Sequence, residues 1–268
     1  MILARAAGRT IMAVKDEGAV ATHKADGSLV TLADSRAEAI ILEGLTALSP
    51  GAPVLAEEEV AAGRTPALGD FYFCVDPLDG TRDFVSGENG EFTVNIALIE
   101  RGSPTLGVVY APATGALYAG EPGRALRGDW DARSGHEVTA ARAIQVAYGA
   151  SPWRVTASRR SGGPRTALFL EALGAVEERR ASSSIKFCLI AEGLVDLYPR
   201  LGEISEWDVA AGHAVLIAAG GGVCDVHGAP LTYGHAARKF AVDGLVAFGG
   251  AAASAEARRA LTHISQGA

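Results

Sequence analysis

The chain has 268 residues, of which 49% are hydrophobic and 21% are charged, a composition typical of a folded globular protein. This length is sufficient for a sizeable core, arranged as one large α/β domain or as two closely joined lobes. The net charge of −7 argues against a general binder of nucleic acids or anionic membranes. The negative charge does not exclude an anionic small-molecule substrate, because metal ions and a few basic side chains can neutralise such a substrate.

Two helices are predicted before residue 49. Apolar residues recur at helical spacing over residues 2–15 and again over residues 31–48. Between them, the Asp26-Gly27 pair indicates a turn in a polar segment. Asp34 falls in the first turn of the second helix, where the helix dipole favours a carboxylate. Taken alone, this position favours a helix cap over a functional carboxylate.

A short apolar strand is predicted at residues 54–56, and it ends at three consecutive acidic residues. Such a run usually forms a solvated loop, to which we assign Glu59. The following residues, 63–70, contain glycine and proline and are predicted to be an exposed loop.

The most informative segment follows a buried strand predicted at residues 71–75. There the chain carries three closely spaced carboxylates, Asp76, Asp79 and Asp83. Clustered carboxylates repel each other, so a cation is needed to hold them together, and their oxygens suit hard divalent ions. Gly80 permits a positive φ or the close approach of a ligand. The pattern predicts a metal and phosphate site, with a polar turn that caps a helix as the alternative.

Several strands separated by glycine or proline turns are predicted next, at residues 92–99, 105–110, 116–119 and 125–126. Their short spacing favours antiparallel pairing in a meander. Residues 128–143 are polar and are predicted to be an irregular surface excursion. We place a boundary there, within a single compact unit. It separates an N-terminal α+β lobe with the metal motif, residues 1–140, from a C-terminal α/β lobe that completes the site, residues 141–268.

The second half of the chain alternates between strands and helices. Strands are predicted at residues 154–157, 175–178, 195–198, 223–226 and 245–247. Helices are predicted at residues 165–173, 184–192, 207–219 and 251–263. This alternation indicates a layered arrangement. The predicted fold class is α/β, an α+β layered sandwich with a mixed or antiparallel N-terminal sheet and a smaller C-terminal α/β lobe.

The three cysteines, Cys74, Cys188 and Cys224, lie in apolar runs without the spacing of a metal site. They are predicted to be reduced thiols of the core, which favours a cytoplasmic location. The first residues show no basic segment followed by a long apolar stretch, so we expect no signal peptide. We also expect no transmembrane segment, because no uninterrupted apolar run is long enough to cross a bilayer.

Three separated motifs resemble, in order, the signature of the inositol monophosphatase superfamily of Mg²⁺-dependent phosphatases. They are PVLAEE at residues 53–58, DPLDGT at residues 76–81 and WDVAAG at residues 207–212. Within that superfamily the chain is most similar to the CysQ-type 3′(2′),5′-bisphosphate nucleotidases, in residues 89–98, 106–112 and 183–189 continuing to 197–200. The resemblance covers nearly the whole chain and implies alternating helix and sheet layers of the sugar-phosphatase type.

The resemblance implies a site for two or three Mg²⁺ ions. We assign Glu57, Asp76 and the Leu78 carbonyl to a first ion. Asp76, Asp79 and Asp208 are assigned to a second ion, and a weaker third ion is placed near Glu57. Asp208 opens a predicted helix, so a helix cap is its alternative role. The assignment requires carboxylates from three distant segments to meet.

Asp34 and Thr81 are assigned as the catalytic pair, since residues 30–34, VTLAD, match a family pattern that favours a functional Asp34. The Thr81 hydroxyl, paired with Asp34, is expected to orient a metal-activated water and to accept its proton. The N–H groups of Gly80 and Thr81 are expected to hold the phosphoryl oxygens. His213 is assigned to the core or to the surroundings of the metal ligands.

A nucleotide bisphosphate also needs bases for the phosphate that is not hydrolysed. Lys186 and Arg200 match the subfamily runs and are favoured for this role over surface positions. Ser158, Arg159 and Arg160 follow a predicted strand and are further candidates, although the two arginines could simply be solvated. The full set expected to contact substrate is Glu57, Gly80, Thr81, Ser158, Lys186, Arg200 and Asp208.

The predicted function is a Mg²⁺-dependent phosphomonoesterase that converts adenosine 3′,5′-bisphosphate to AMP and phosphate. The resemblance implies a role in sulfate assimilation. The alternatives are an inositol-, sugar- or histidinol-phosphate phosphatase with the same metal site, and a non-catalytic sensor of nucleotide or metal. The presence of all the assigned catalytic and metal residues argues against the sensor. A monomer and a homodimer both stay open, and peripheral association with the inner membrane is suggested by resemblance only.

Overall fold

The computed structural model describes residues 1–18, 20–24, 27, 29–87, 90–158 and 163–266. The α-helices in these residues are α1 (Ile2–Asp16), α2 (Leu32–Leu48), α3 (Glu57–Ala61), α4 (Thr81–Ser86), α5 (Pro164–Leu173), α6 (Ile185–Ala191), α7 (Glu206–Ala218) and α8 (Ala251–Gln266). Within this described part, no helix combines the length and the apolar character needed to cross a membrane.

Helices α1 and α2 form as their apolar spacing predicts. Helix α1 buries Ala4, Ala7 and Ile11 on one face, at the spacing of successive helical turns. Helix α2 begins at a capping box, in which the Thr31 hydroxyl accepts the Ala33 N–H at 3.1 Å. The two helices pack against each other and cover one face of the larger sheet.

The larger sheet has seven strands in sequential order. They are β3 (Val54–Ala56), β4 (Phe71–Asp79), β5 (Thr93–Glu100), β6 (Ser103–Tyr110), β7 (Ala116–Glu121), β8 (Arg124–Asp131) and β9 (His136–Ala143). Strand β3 is parallel to β4, and each later pair is antiparallel. The predicted meander is therefore confirmed. Along β4, Tyr72 and Cys74 enter one core while Phe73 and Val75 pack in the other, so both faces of the sheet are covered.

The prediction of an irregular excursion at residues 128–143 is wrong. These residues belong to β8 and β9, which form a hairpin that extends the larger sheet. Every residue of β9 is exposed, so the sequence lacks the apolar alternation by which a half-buried strand is recognised. The boundary placed at residue 140 falls inside β9, and the division into two lobes remains a prediction.

Two N-terminal segments also differ from the prediction. Strands β1 (Ala21–His23) and β2 (Leu29–Thr31) pair as an antiparallel hairpin where only a turn was expected; Asp26, part of that turn, lies outside the described residues. Glu59 lies in helix α3 rather than in a solvated loop. Acidic residues in the first turn of a helix are favoured by its dipole, which accounts for the helix.

The smaller sheet comes from the second half of the chain. Its strands, in spatial order, are β11 (Val176–Ala181), β10 (Trp153–Ser158), β12 (Leu197–Arg200), β16 (Leu245–Phe248) and β14 (Gly222–Asp225). Strand β10 is parallel to both neighbours, whereas β16 is antiparallel to β12 and β14. A separate pair, β13 (Ile204–Ser205) with β15 (Ala241–Val242), lies just before α7.

The elements stack in five layers. Helices α1 and α2 lie outside the larger sheet, α6 and α7 lie between the two sheets, and α5 and α8 cover the smaller sheet. Residues 209–216 of α7 are all buried, as expected of a helix covered on every side. Gly107 of β6 allows the close approach of α7, since a Cβ there would lie 2.4 Å from the Ala211 carbonyl oxygen. The layered α/β fold is thus confirmed, with α7 at its centre.

Candidate active site

Three carboxylates meet where strand β4 ends against helix α7. Asp76 and Asp79 lie at the end of β4, opposite Asn95 and Thr93 of β5, with an irregularity in register between the two pairs. Asp208 lies in the first turn of α7. One carboxylate oxygen from each of Asp76, Asp79 and Asp208, called the carboxylate cluster below, lies within 4.8 Å of the other two. Asp83, the remaining acid of the motif, lies in α4.

Burial makes this cluster unfavourable as three bare anions. Asp76 is only 1% exposed, and burial, followed by repulsion from neighbouring carboxylates, raises the pKa of Asp76 and of Asp208 well above the usual value. Burial also raises the pKa of Asp79, to about 6. The Asp76 Oδ1 atom accepts the Leu78 N–H at 2.9 Å, but Oδ2 has no hydrogen-bond donor within the described part of the chain. Hard divalent ions prefer such oxygens, so the donor set fits Mg²⁺.

Glu57 begins α3 and lines the same cavity as Asp79 and Asp208, although it is not one of the three cluster members. Its Oε1 accepts a hydrogen bond from Lys24 Nζ at 2.7 Å, and the same ammonium reaches Glu58 Oε1 at 2.7 Å. Burial lowers the pKa of Lys24, but these two carboxylates more than compensate and hold it above its usual value. Helix α3 is held in turn by Glu38 of α2, whose carboxylate accepts the Glu58 N–H at 2.9 Å.

Asp34 and Thr81 are in contact although they are 47 residues apart. The Thr81 hydroxyl donates to Asp34 Oδ1 at 3.2 Å, and it lies 3.2 Å from the Leu78 carbonyl oxygen. The other carboxylate oxygen of Asp34 accepts the N–H and the hydroxyl of Thr31, both at 2.7 Å. Burial raises the pKa of Asp34. Asp34 therefore caps α2 and contacts Thr81 at the same time, so its two interpretations from the sequence are compatible.

A turn before α6 closes the site opposite β4. The Ser183 hydroxyl donates to the Asp79 carbonyl oxygen at 3.1 Å. The Ser184 hydroxyl donates to the Asp208 carbonyl oxygen at 2.8 Å and lies 3.4 Å from Asp79 Oδ2. Gly80 has a φ of +89°, and a Cβ there would lie 2.4 Å from Ser183 Oγ. Both observations restrict this position to glycine.

The site opens into a cavity of about 550 Å³ that joins the carboxylate cluster to basic side chains. Lys186 is buried, and its Nζ donates to the Ser183 carbonyl oxygen at 2.8 Å. Burial lowers the pKa of Lys186 to about 8. Arg200 donates from Nη2 to the Glu203 carbonyl oxygen at 3.1 Å, whereas its buried Nε has no partner among the residues described. The cavity therefore combines carboxylates that could hold a metal ion with positive charge.

The other residues considered for the site differ in whether they line the cavity. Ser158, the last residue of β10, lines the cavity, and so do Gly80 and Thr81. Arg159 and Arg160 lie outside the described residues. His213 is buried in the core, where its Nδ1 lies 2.9 Å from the Tyr233 hydroxyl and burial lowers its pKa to about 3. It is not a lining residue of the cavity.

Glu206 is a buried residue of this region that the sequence does not single out. It lies two residues before Asp208 and is fully buried. Its carboxylate accepts the N–H groups of Gly234 at 2.9 Å and of His235 at 2.8 Å, and it contacts His235 Nδ1 at 2.8 Å. These bonds tie a distant turn to the start of α7. In the sequence, Glu206 is indistinguishable from any acidic residue in the first turn of a helix.

Comparison with known proteins places these features in a family context. The chain matches the model of the inositol monophosphatase family over residues 1–260. The 3′(2′),5′-bisphosphate nucleotidase CysQ of Salmonella typhimurium is 45% identical over 233 residues, covering 86% of this chain and 91% of that protein. The protein of the same name from Escherichia coli strain K12 is 44% identical over the same coverage. The crystal structure of CysQ from Bacteroides thetaiotaomicron, a bacterial member of that family, matches with a TM-score of 0.74 and 32% identity, covering 92% of this chain and 94% of that chain.

Proposed function

The chain belongs to the inositol monophosphatase family, and on that premise we propose that it hydrolyses the 3′-phosphate of adenosine 3′,5′-bisphosphate to give AMP and phosphate. It is a 3′(2′),5′-bisphosphate nucleotidase like the relatives compared above. One observation carries the choice of substrate: a single cavity joins the carboxylate cluster to Lys186 and Arg200. A bisphosphate presents two separate anionic groups, and this cavity offers a partner for each.

We propose that the metal is Mg²⁺, in two or three copies. Glu57, Asp76 and the Leu78 carbonyl would hold one ion, while Asp76, Asp79 and Asp208 would hold a second. A third would lie near Glu57. When bound, these ions supply positive charge to the phosphoryl and leaving oxygens and make water a stronger nucleophile. Two observations support this assignment: Asp76 Oδ2 has no hydrogen-bond partner among the residues that the structure describes, and the pKa values of Asp76 and Asp208 are raised.

Thr81 and Asp34 act on the attacking water in this proposal. The Thr81 hydroxyl accepts a proton from the water and passes its own proton to Asp34 Oδ1, which lies 3.2 Å away. The water oxygen then bonds to phosphorus while the bond from phosphorus to the ribose oxygen breaks. Burial raises the pKa of Asp34, which makes it a better proton acceptor. The N–H groups of Gly80 and Thr81 hold the phosphoryl oxygens.

We propose that the 5′-phosphate is bound by the basic side chains that line the same cavity. Lys186, which is buried, and Arg200 both line this cavity and supply its positive charge. Ser158 adds a hydroxyl to the same lining. These groups contact the substrate but not the bond that breaks, so they determine which phosphate ester is accepted.

Phosphate release from a panel of substrates tests this function. Adenosine 3′,5′-bisphosphate, inositol 1-phosphate, fructose 1,6-bisphosphate and histidinol phosphate are compared at saturating Mg²⁺. We expect kcat/KM for the nucleotide to exceed that for inositol 1-phosphate by about a hundred-fold, because a monophosphate leaves the basic end without a charged partner. Equal or better turnover of inositol 1-phosphate would contradict the substrate assignment. No release from any substrate would favour a non-catalytic sensor.

We further propose that the enzyme acts in the cytoplasm. All three cysteines are free and buried, which suits a reducing compartment where disulfides are rare. A homodimer, proposed from the resemblance alone, predicts a mass twice the 27.5 kDa of the chain in light scattering. A single species at the chain mass over micromolar concentrations would contradict the dimer.

A further inference from the structure

Ser183 and Ser184, called the serine clamp below, join the two segments that carry the carboxylate cluster. The Ser183 hydroxyl holds the carbonyl of Asp79 at the end of β4. The Ser184 hydroxyl holds the carbonyl of Asp208 in the first turn of α7. Two adjacent hydroxyls therefore tie a strand of the larger sheet to the central helix, at the residues whose carboxylates must converge.

The clamp also reaches a carboxylate of the cluster. The Ser184 hydroxyl lies 3.4 Å from Asp79 Oδ2. This one residue thus faces the Asp79 side chain and the Asp208 backbone together.

Neighbouring side chains hold the clamp in an uncommon conformation. Ser183 has a φ of +52°, a region that residues other than glycine seldom adopt. Such strain persists only where the surroundings fix it, and it concentrates at functional sites. Here Lys186 Nζ holds the Ser183 carbonyl at 2.8 Å, and the Glu91 carboxylate accepts the Ser182 N–H at 2.8 Å.

We propose that the serine clamp sets the separation of Asp79 and Asp208 and so controls how tightly the cluster binds a divalent ion. Mg²⁺ requires near-ideal octahedral geometry, and carboxylates of like charge move apart unless they are held. Partners that orient metal ligands typically change metal affinity by about 10- to 100-fold when they are removed. Ser183 and Ser184 are positioning residues in this account, which rests on the proposed function only in treating the cluster as a metal site.

Direct binding of Mn²⁺ in the absence of substrate, measured by electron paramagnetic resonance, tests the proposal. We expect Ser184→Ala and Ser183→Gly each to weaken Mn²⁺ binding by about ten-fold. Ser183→Gly is informative because glycine accepts the positive φ without strain, so the variant loses the hydroxyl while its Tm changes little. Ser184→Thr, which keeps the hydroxyl, is expected to restore binding.

Ser265→Ala is the matched control. It also removes one bond from a serine hydroxyl to a carbonyl oxygen, that of Leu261 at 2.9 Å, but in helix α8, away from the cavity. Its Mn²⁺ affinity is expected to equal that of the wild type. If Ser183→Gly and Ser184→Ala stay folded and bind Mn²⁺ within about two-fold of the wild type, the proposal is overturned. If Ser184→Ala fails to fold, the Ser183→Gly result decides alone.

This readout separates the clamp from the proposed function. A wild-type protein that binds Mn²⁺ but releases no phosphate from the nucleotide would refute the function and leave the clamp testable by the same variants. If the protein hydrolyses the nucleotide but neither serine substitution changes its Mn²⁺ affinity, the proposed function stands and the serine clamp proposal is refuted.

Discussion

Replacing Asp79 by asparagine is expected to abolish activity and to stabilise the metal-free protein at neutral pH. Burial raises the pKa of Asp79 to about 6 from 3.8, against the opposing effect of the Lys186 ammonium. The carboxylate is therefore harder to ionise in the folded protein than in the unfolded chain. Asparagine removes the charge and keeps an oxygen that can face the Ser184 hydroxyl.

The magnitude follows from the difference in pKa. A carboxyl with a pKa of about 6 in place of 3.8 opposes folding by about 3 kcal/mol once it is ionised in both states. Asp79 keeps some contact with water, and screening reduces the expected gain in the variant to about 2 kcal/mol. The penalty is absent below pH 3.8, grows up to about pH 6 and is complete above it. The metal-free wild type should thus become more stable as the pH falls from neutrality.

Urea unfolding in EDTA at pH 7 and at pH 5 measures the effect. We expect Asp79→Asn to unfold at higher urea than the wild type at pH 7, with a smaller difference at pH 5. Added Mg²⁺ should stabilise the wild type more than the variant. Asp243→Asn is the control, because hydrogen bonding to Arg238 lowers the pKa of Asp243 and its neutralisation should bring no gain. An Asp79→Asn protein less stable than the wild type at pH 7 in EDTA would refute this reasoning.

Three further substitutions test other parts of the site. Thr81→Ala should lower kcat by about 100-fold with little change in KM, and a change confined to KM would remove Thr81 from the proton path. Lys186→Ala should raise KM for the bisphosphate by about ten-fold or more and leave KM for a nucleoside 3′-monophosphate unchanged. Because burial lowers the pKa of Lys186 to about 8, the affinity of the wild type for the bisphosphate should fall as the pH rises through that value. The variant should lack this pH dependence. Glu206→Ala leaves the N–H groups of Gly234 and His235 without their acceptor, so it should lower the free energy of unfolding by about 3 kcal/mol. Urea unfolding measures this loss, and a loss under about 1 kcal/mol would show that Glu206 does not hold this turn.

The carboxylate cluster is predictable in part because two of its three members lie in one short run. Asp76 and Asp79 are separated by a proline and a leucine at the end of an apolar strand, so their proximity follows from local geometry. The convergence of Asp208 depends on α7 packing across β4, a tertiary contact that spacing along the chain does not specify. The convergence of Asp208 with Asp76 and Asp79 was therefore predicted from the family resemblance and not from the spacing.

The supporting residues could not be predicted in the same way. Ser184, Glu206 and Lys24 belong to residue types that occur on every protein surface, and each acquires its role from a partner distant in the sequence. Strand β9 shows the same limit at the level of the fold, because its exposed residues carry no apolar periodicity. Periodicity detects burial, and neither an exposed edge strand nor a polar contact between distant segments produces it.

The late position of helix α7 in the chain has a consequence for biosynthesis. Its acid completes a group of three whose other two members precede residue 80. A nascent polypeptide emerging from the ribosome therefore exposes the DPLDGT motif long before the helix that must cover it has been translated. On the proposed assignment, the divalent ion has its full set of carboxylate ligands only after Asp208 has been synthesised, so its binding is a late step and does not build up by stages.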